Sequence, residues 1–304
     1  MSISVVVPSV ELAQAVGEVP GASVEVWDGT GDAPQGVDLW VPAYLTSAVA
    51  VARVGELEGL RVVQLQMAGY DGIAEKMPPG VTLCNAAGVH DDATAEHAVG
   101  LTLAVLRGTV EAVRNQDRGR WVRMPGRQSL ADARVLILGY GSIGRAVAER
   151  LLPMKAQVTG VASRPREDDL LGQVHGFGDL GALLPHQDVV ILLVPYTERT
   201  HQLVDRAFLD KLPDGALVVN VARGAVVDTD AVLAEAGRLR FALDVTDPEP
   251  LPDDHPLFSA PGVLITPHVA GGTTAMLPRM AALVRTQAER LVAGEEPLHV
   301  VHRG

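Results

Sequence analysis

Arg134-Val-Leu-Ile-Leu138 runs into Gly139-Tyr-Gly141-Ser142-Ile143-Gly144 and then into Arg145-Ala-Val-Ala-Glu-Arg-Leu151. The first segment has the pattern of a buried strand, the second is a Gly-x-Gly-x-x-Gly turn, and the third is helix-like. Gly139 permits a tight turn, Gly141 has no side chain to keep a pyrophosphate from the backbone, and Gly144 lets helix and strand pack closely. Phosphates are expected on the free N–H groups of the first helical turn, at Ser142 and Ile143, where the helix dipole favours negative charge. A Gly-x-Gly-x-x-Gly alone is often only a glycine-rich loop. Strand, motif and helix in this order predict dinucleotide binding.

The next strand of such a unit, at 157–162, would end in an acidic residue if it bound the adenosine ribose of NAD. Here Ser163-Arg164-Pro165-Arg166 follows. A hydroxyl and guanidinia suit a 2′-phosphate, which favours NADP(H) over NAD(H). The alternative is a solvated basic loop that accepts either cofactor.

A chain of 304 residues suggests two domains. Apolar residues make up 47%, aromatics only 4%, which suits an α/β protein with buried parallel strands. The net charge of −12 argues against nucleic acid and anionic membranes as partners. Cys84 is the single cysteine, so no intrachain disulfide forms, and a reducing, cytoplasmic location is expected. It lies in an apolar run and reads as a packing residue rather than a nucleophile. The N-terminus reads as a strand rather than a signal peptide, and no stretch suggests a membrane span.

Strands are expected at 4–7, 24–27, 39–41, 62–65 and 81–85, with helical segments at 10–16, 45–54 and 69–76 between them. This alternation implies a parallel sheet with helices on both faces. A helix over 91–106 is apolar nearly all round and should be buried on several sides. The polar, Arg-rich stretch to Gln128, with Trp121 in its middle, reads as an extended arm or loop. Six further strands are expected, at 134–138, 157–162, 188–193, 216–220, 240–245 and 262–265, and a long amphipathic helix at 275–293. The fold class is therefore α/β with two doubly wound parallel-sheet domains. Residues 1–90 with 275–304 form one, and 91–274 form the dinucleotide-binding one.

Ligands of open α/β sheets bind beyond the carboxyl ends of the strands. Arg223 follows the strand at 216–220, Asp244 and Glu249 the end of that at 240–245, and His268 that at 262–265. A hydride moving to a keto carbon needs a proton for the oxygen, which His268 supplies. Glu249 fixes its ring, and Arg223 holds the oxygens of a 2-keto acid in a fork. Any one loop Arg, Glu or His is usually a surface ion pair or a structural residue; the three together at strand ends are not. Asp244 either accepts a hydrogen bond from the nicotinamide carboxamide or closes a local turn. His97 reads as a satisfied buried or interface residue. The histidines form no metal-binding pattern, so no metal is expected.

The segments Leu138-Gly-Tyr-Gly-Ser-Ile-Gly144, Val219-Asn-Val-Ala-Arg-Gly224, Ala242-Leu-Asp-Val-Thr-Asp-Pro-Glu-Pro250 and Leu264-Ile-Thr-Pro-His-Val-Ala-Gly271 together resemble the D-2-hydroxyacid dehydrogenase family. Gln64-Leu-Gln-Met-Ala-Gly-Tyr-Asp71, Asn85-Ala-Ala-Gly-Val89 and Ala95-Glu-His97 are similar to its substrate loop and hinge helix. The resemblance implies a Rossmann cofactor domain and a flavodoxin-like lid domain. It implies Arg223, Glu249 and His268 as the catalytic trio and a substrate carboxylate on backbone N–H groups of Met67, Ala68 and Gly69. Further cofactor contacts are implied at Ser163, Arg164, Pro195, Val221, Asp244 and Gly271. Family members are usually homodimers, with the arm at 108–128 crossing between subunits and Trp121 a candidate to reach the partner's site. Ser163-Arg164 is similar to the NADP-preferring glyoxylate/hydroxypyruvate reductase branch, and Glu249, where related formate dehydrogenases carry Gln, favours a 2-hydroxy acid. The rival readings are a cofactor-sensing regulatory protein of the same fold and a dehydrogenase of another small anion such as phosphite.

Overall fold

The computed structural model describes residues 2–44 and 51–304. The chain divides into two compact units, Met1–His90 with Thr273–Gly304, and Asp91–Gly272.

Among the described residues the first unit holds a six-stranded sheet. Its order is Val300–Arg303, Thr82–Cys84, Val62–Gln64, Leu39–Trp40, Ile3–Val7 and Ala22–Val26. All pairings are parallel except that of Val300–Arg303 with Thr82–Cys84. The helices Val10–Val16 and Met276–Val292 cover one face through Leu12, Val16, Met280, Val284 and Ala288. Pro278 is tolerated in the first turn of the long helix, where its missing N–H has no intrahelical partner to lose. Further along, the buried Gln287 donates to Gln64 Oε1 at 2.7 Å and to Leu298 O at 2.9 Å, and accepts from Leu298 N at 2.8 Å. That exchange aims the tail at the sheet edge. Cys84 is buried there, and burial pushes its thiol up to about 12, as suits a packing residue. Part of the helix expected at 45–54 lies outside the described residues; its described end is a 3₁₀ turn, Val51–Glu56. The segment expected at 69–76 shortens to the 3₁₀ turn Ala74–Lys76.

The second unit holds an eight-stranded sheet instead of the six strands expected. The order is Val263–Ile265, Arg240–Leu243, Leu217–Asn220, Val189–Leu192, Arg134–Leu138, Gln157–Ala162, Gly172–Gly176 and Arg166–Asp168. The two additional strands are short and polar, so no apolar period marks them. Arg134–Leu138 is flanked by Gln157–Ala162 on one side and Val189–Leu192 on the other. Strand order reverses there, and the glycine turn leaves the carboxyl end of that strand, the position from which such sheets bind ligands. The helix Asp91–Leu106 packs its small residues against the helix Ser142–Leu151 and the sheet, with Ala95, Ala98 and Thr102 buried.

A further expectation is corrected. The stretch after Leu106 is not wholly an arm or loop, because Thr109–Asp117 is a helix. Gly108, at φ 69°, separates it from its predecessor, and Glu111 and Arg114 sit at the ends the helix dipole prefers. None of its residues is buried, and only Val110, Ala112 and Val113 in it are apolar, too few to mark a helix by period. Beyond it Trp121 is 93% exposed.

Candidate active site

Gly139 has φ 105°, and a Cβ there would lie 2.5 Å from the carbonyl carbon of Leu193. One on Gly144 would lie 2.8 Å from Gly139 O. Both positions therefore exclude a side chain. Gly141 differs: nothing lies within 4 Å of where its Cβ would be. It caps Ser142–Leu151 without a side-chain acceptor, so the N–H groups of Ser142, Ile143 and Gly144 keep no partner within the helix. Open space before unpartnered first-turn donors fits a pyrophosphate.

A cavity of about 780 Å³ opens at this turn. Ser163 and Pro195 line it, and so does Arg166; Arg164 is exposed and does not. Val221 is buried and Gly271 half-buried. Asp168, which sequence spacing overlooked, is turned to other work. It accepts from Tyr140 Oη at 3.1 Å and from the N–H groups of Leu170 and Leu171, and it pairs with Arg145 at 3.5 Å.

The strand ends hold the candidate trio. His268 Nδ1 lies 2.5 Å from Glu249 Oε1. A carboxylate only accepts, so Nδ1 carries the hydrogen, and Nε2 has no partner among the described residues. Arg223 follows the buried Asn220, whose side chain donates to Arg223 O at 2.9 Å and accepts from Ala222 N at 3.0 Å. This short turn fixes the backbone from which the half-buried Arg223 projects, and its Nη1 donates to Ala222 O at 2.7 Å. Next to it, a Cβ on Gly224 would lie 1.8 Å from Thr246 O. Only glycine lets the loop bearing Arg223 rest on the loop leading to Glu249.

Asp244 organises the third loop. Its carboxylate is 1% exposed and accepts from Thr266 Oγ1 at 2.6 Å, His97 Nε2 at 3.1 Å, Val269 N at 3.0 Å and Ala270 N at 3.0 Å. Its backbone carbonyl accepts from His268 N at 2.7 Å. The residue thus grips the chain on both sides of His268, which sits at φ 51°. Burial would raise the Asp244 carboxyl, but the hydrogen bonds from His97, Thr266 and the two backbone N–H groups prevail and hold it below its ordinary value. Its partners lie at least 22 residues away in the chain, so the carboxylate joins separate elements and does not close a local turn. His97 is a satisfied half-buried residue, but one that acts on this carboxylate. No sequence pattern joins positions 97 and 244; only packing of the helix on the sheet does.

In the other unit, Ala86 N donates to Met67 O at 2.8 Å and Asn85 Nδ2 to Ala68 O at 2.7 Å. The N–H groups of Met67, Ala68 and Gly69 find no acceptor among the described residues. Three successive free donors on a carbonyl-anchored loop can receive an anion. Among the described residues there is no cluster of three or more metal-ligating side chains, and no helix is long and apolar enough to cross a membrane.

Comparison with known proteins gives the family. The model of the D-isomer specific 2-hydroxyacid dehydrogenase NAD-binding domain matches residues 99–270. A glyoxylate reductase of Thermofilum pendens is 33% identical, over 85% of this chain and 80% of the relative. A mouse glyoxylate reductase/hydroxypyruvate reductase is also 33% identical, over 77% and 74% respectively. The crystal structure of a D-isomer specific 2-hydroxyacid dehydrogenase from Xanthobacter autotrophicus Py2, in complex with NADPH and MES, superposes with a TM-score of 0.82 at 28% identity, over 100% of this chain and 99% of that one. The match spans more than half of the chain, from within the helix Asp91–Leu106 to the loop that bears His268, and the chain belongs to the D-isomer specific 2-hydroxyacid dehydrogenase family.

Proposed function

We propose that the protein reduces a small 2-keto acid of the glyoxylate or hydroxypyruvate type to its D-2-hydroxy acid, with NADP(H) preferred and NAD(H) possible. The observation that carries the reading is the His268–Glu249 pair at 2.5 Å, with Nε2 left without a partner among the described residues, in loops that follow neighbouring strands of the sheet whose next strand leads to Arg223. The named activity of the relatives and the NADPH of the Xanthobacter structure support substrate class and cofactor.

The cofactor, when bound, supplies a hydride to the keto carbon. Ser142, Ile143 and Gly144 hold its pyrophosphate through backbone N–H groups, and Ser163, Arg164, Pro195, Val221 and Gly271 are the further contacts the family pattern assigns. His268 holds the proton for the keto oxygen at Nε2. Glu249 keeps the ring in one orientation and tautomer. Arg223 binds the oxygens of the substrate as a planar fork, which orients the carbonyl and stabilises charge developing on it. The N–H groups of Met67, Ala68 and Gly69 receive the substrate carboxylate. Asp244 keeps His268 in place and has Oδ2 lone pairs left for a carboxamide. The unit Met1–His90 with Thr273–Gly304 serves as lid, Asp91–Leu106 as hinge, and 108–128 as the arm of a cytoplasmic homodimer. The nearly complete exposure of Trp121 supports cover by a second copy.

A panel of 2-keto acids assayed with NADPH and NADH tests the reading. Oxidation of NADPH by glyoxylate or hydroxypyruvate is the expected result. Oxidation of neither cofactor across the panel would overturn it in favour of a cofactor-sensing role. Reduction of NADP with phosphite, and no turnover of keto acids, would overturn the substrate class alone.

A further inference from the structure

The cavity at the glycine turn carries positive charge from two separate loops. Its charged lining side chains are Arg166 and Arg199, and no Asp or Glu lines it. Arg166 opens the strand Arg166–Asp168, whereas Arg199 lies in the loop after Val189–Leu192. Ser163 adds a hydroxyl to the same wall.

The two guanidinia are held differently. Arg166 Nη2 donates to Tyr140 O at 2.8 Å, and its guanidinium stands 5.7 Å from the centre of the Tyr140 ring. Those contacts tie it to the glycine turn and leave other N–H donors unused. The Arg199 guanidinium has no hydrogen bond or ion pair among the described residues. Its backbone is fixed nonetheless. Thr200 Oγ1 accepts from Thr197 N at 2.8 Å and donates to Pro195 O at 2.7 Å, while His201 N donates to Thr197 O at 2.9 Å. The carboxylates of Asp168 and Asp169 are engaged by Arg145, at 3.5 and 2.6 Å, and so do not neutralise the cavity.

We propose that Arg199 and Arg166 together clamp the 2′-phosphate of the adenosine, and that Arg199 is the residue that decides the preference for NADP(H) over NAD(H). The inference rests on the NADP(H) reading above. A dianion between two guanidinia accepts charge-assisted hydrogen bonds from both. A cofactor without the phosphate leaves two like charges facing one cavity with nothing between them, so selection works by attraction and by repulsion.

Calorimetric titration of the full chain with 2′,5′-ADP and with 5′-AMP separates phosphate recognition from catalysis. The wild type is expected to bind 2′,5′-ADP more tightly than 5′-AMP. Arg199→Ala should raise the Kd for 2′,5′-ADP about tenfold or more, the size of one lost charge-assisted bond, and move that for 5′-AMP far less. Arg199→Lys should recover part of the difference, because an ammonium keeps the charge without the fork. Arg199 has no partner to lose, so unchanged thermal melting is expected of both variants. If Arg199→Ala keeps the wild-type ratio of the two Kd values, the clamp is overturned and the NADP(H) reading stands. If the wild type binds the two probes equally, both are overturned.

Discussion

The loops around His268 and the cavity at the glycine turn of the Asp91–Gly272 unit follow opposite building plans. Around His268 the polar atoms are tied down. Asp244 grips the chain before and after it, Glu249 holds the ring, and Gly224 lets two loops press together. At the cavity, Ser163 and Arg199 stand exposed on fixed backbones, and charge is left unneutralised. Proton transfer needs an atom held to a fraction of an ångström, which a buried carboxylate tied by several hydrogen bonds provides. Choosing between two cofactors needs only the right sign of charge within reach, which an exposed guanidinium provides.

The largest expected effect falls on the rigid side. His268→Ala should lower kcat for the preferred keto acid by about 10²–10⁴-fold, the usual contribution of a placed acid, while fluorescence titration finds cofactor affinity near wild type. Unchanged turnover would remove His268 from the reaction. Gly224→Ala comes next, because its Cβ would overlap Thr246 O and force the two loops apart. A stability loss of about 2–3 kcal/mol is expected in urea melts, with kcat falling as the loops separate. A variant with wild-type stability and turnover would show that the loop contact is not tight.

Asp244→Asn tests the buried carboxylate through pH. The folded-state carboxyl lies below the ordinary 3.8, so its contribution is complete above that value. It is lost as pH falls from there through the folded value. The variant should be less stable by about 2 kcal/mol at neutral pH and should show a shallower acid decline below pH 3.8 in the same melts. An acid slope equal to that of the wild type would assign the decline to other carboxylates. The smallest effect is expected on the open side. Arg145→Ala frees Asp168 and Asp169 beside the glycine turn, and solvent screens most of their charge. NADPH affinity should drop about threefold or less, and NADH affinity less still. Equal changes for both cofactors would mean that these carboxylates do not bear on the phosphate.

The rigid side was also the easier to read from residues alone. Arg223, Glu249 and His268 are legible because each follows a strand, and a strand announces itself by its apolar run. The open side was read only in part. Arg166–Asp168 and Gly172–Gly176 are too short and polar to show a period, and they set which Arg of Ser163-Arg164-Pro165-Arg166 lines the cavity. Thr109–Asp117 escaped notice for the related reason that it buries nothing.

Sequence alone determined the strand–turn–helix unit, the α/β class and the residues at the strand ends. These depend on local spacing: apolar period, glycine position and chain order. Tertiary structure decided that His97 reaches Asp244, that Gly224 lies against Thr246, and that Arg199 shares a cavity with Arg166. Each joins residues distant in the chain or in different loops, so its geometry depends on how helices and loops pack on the sheet, and one-dimensional spacing carries no measure of that.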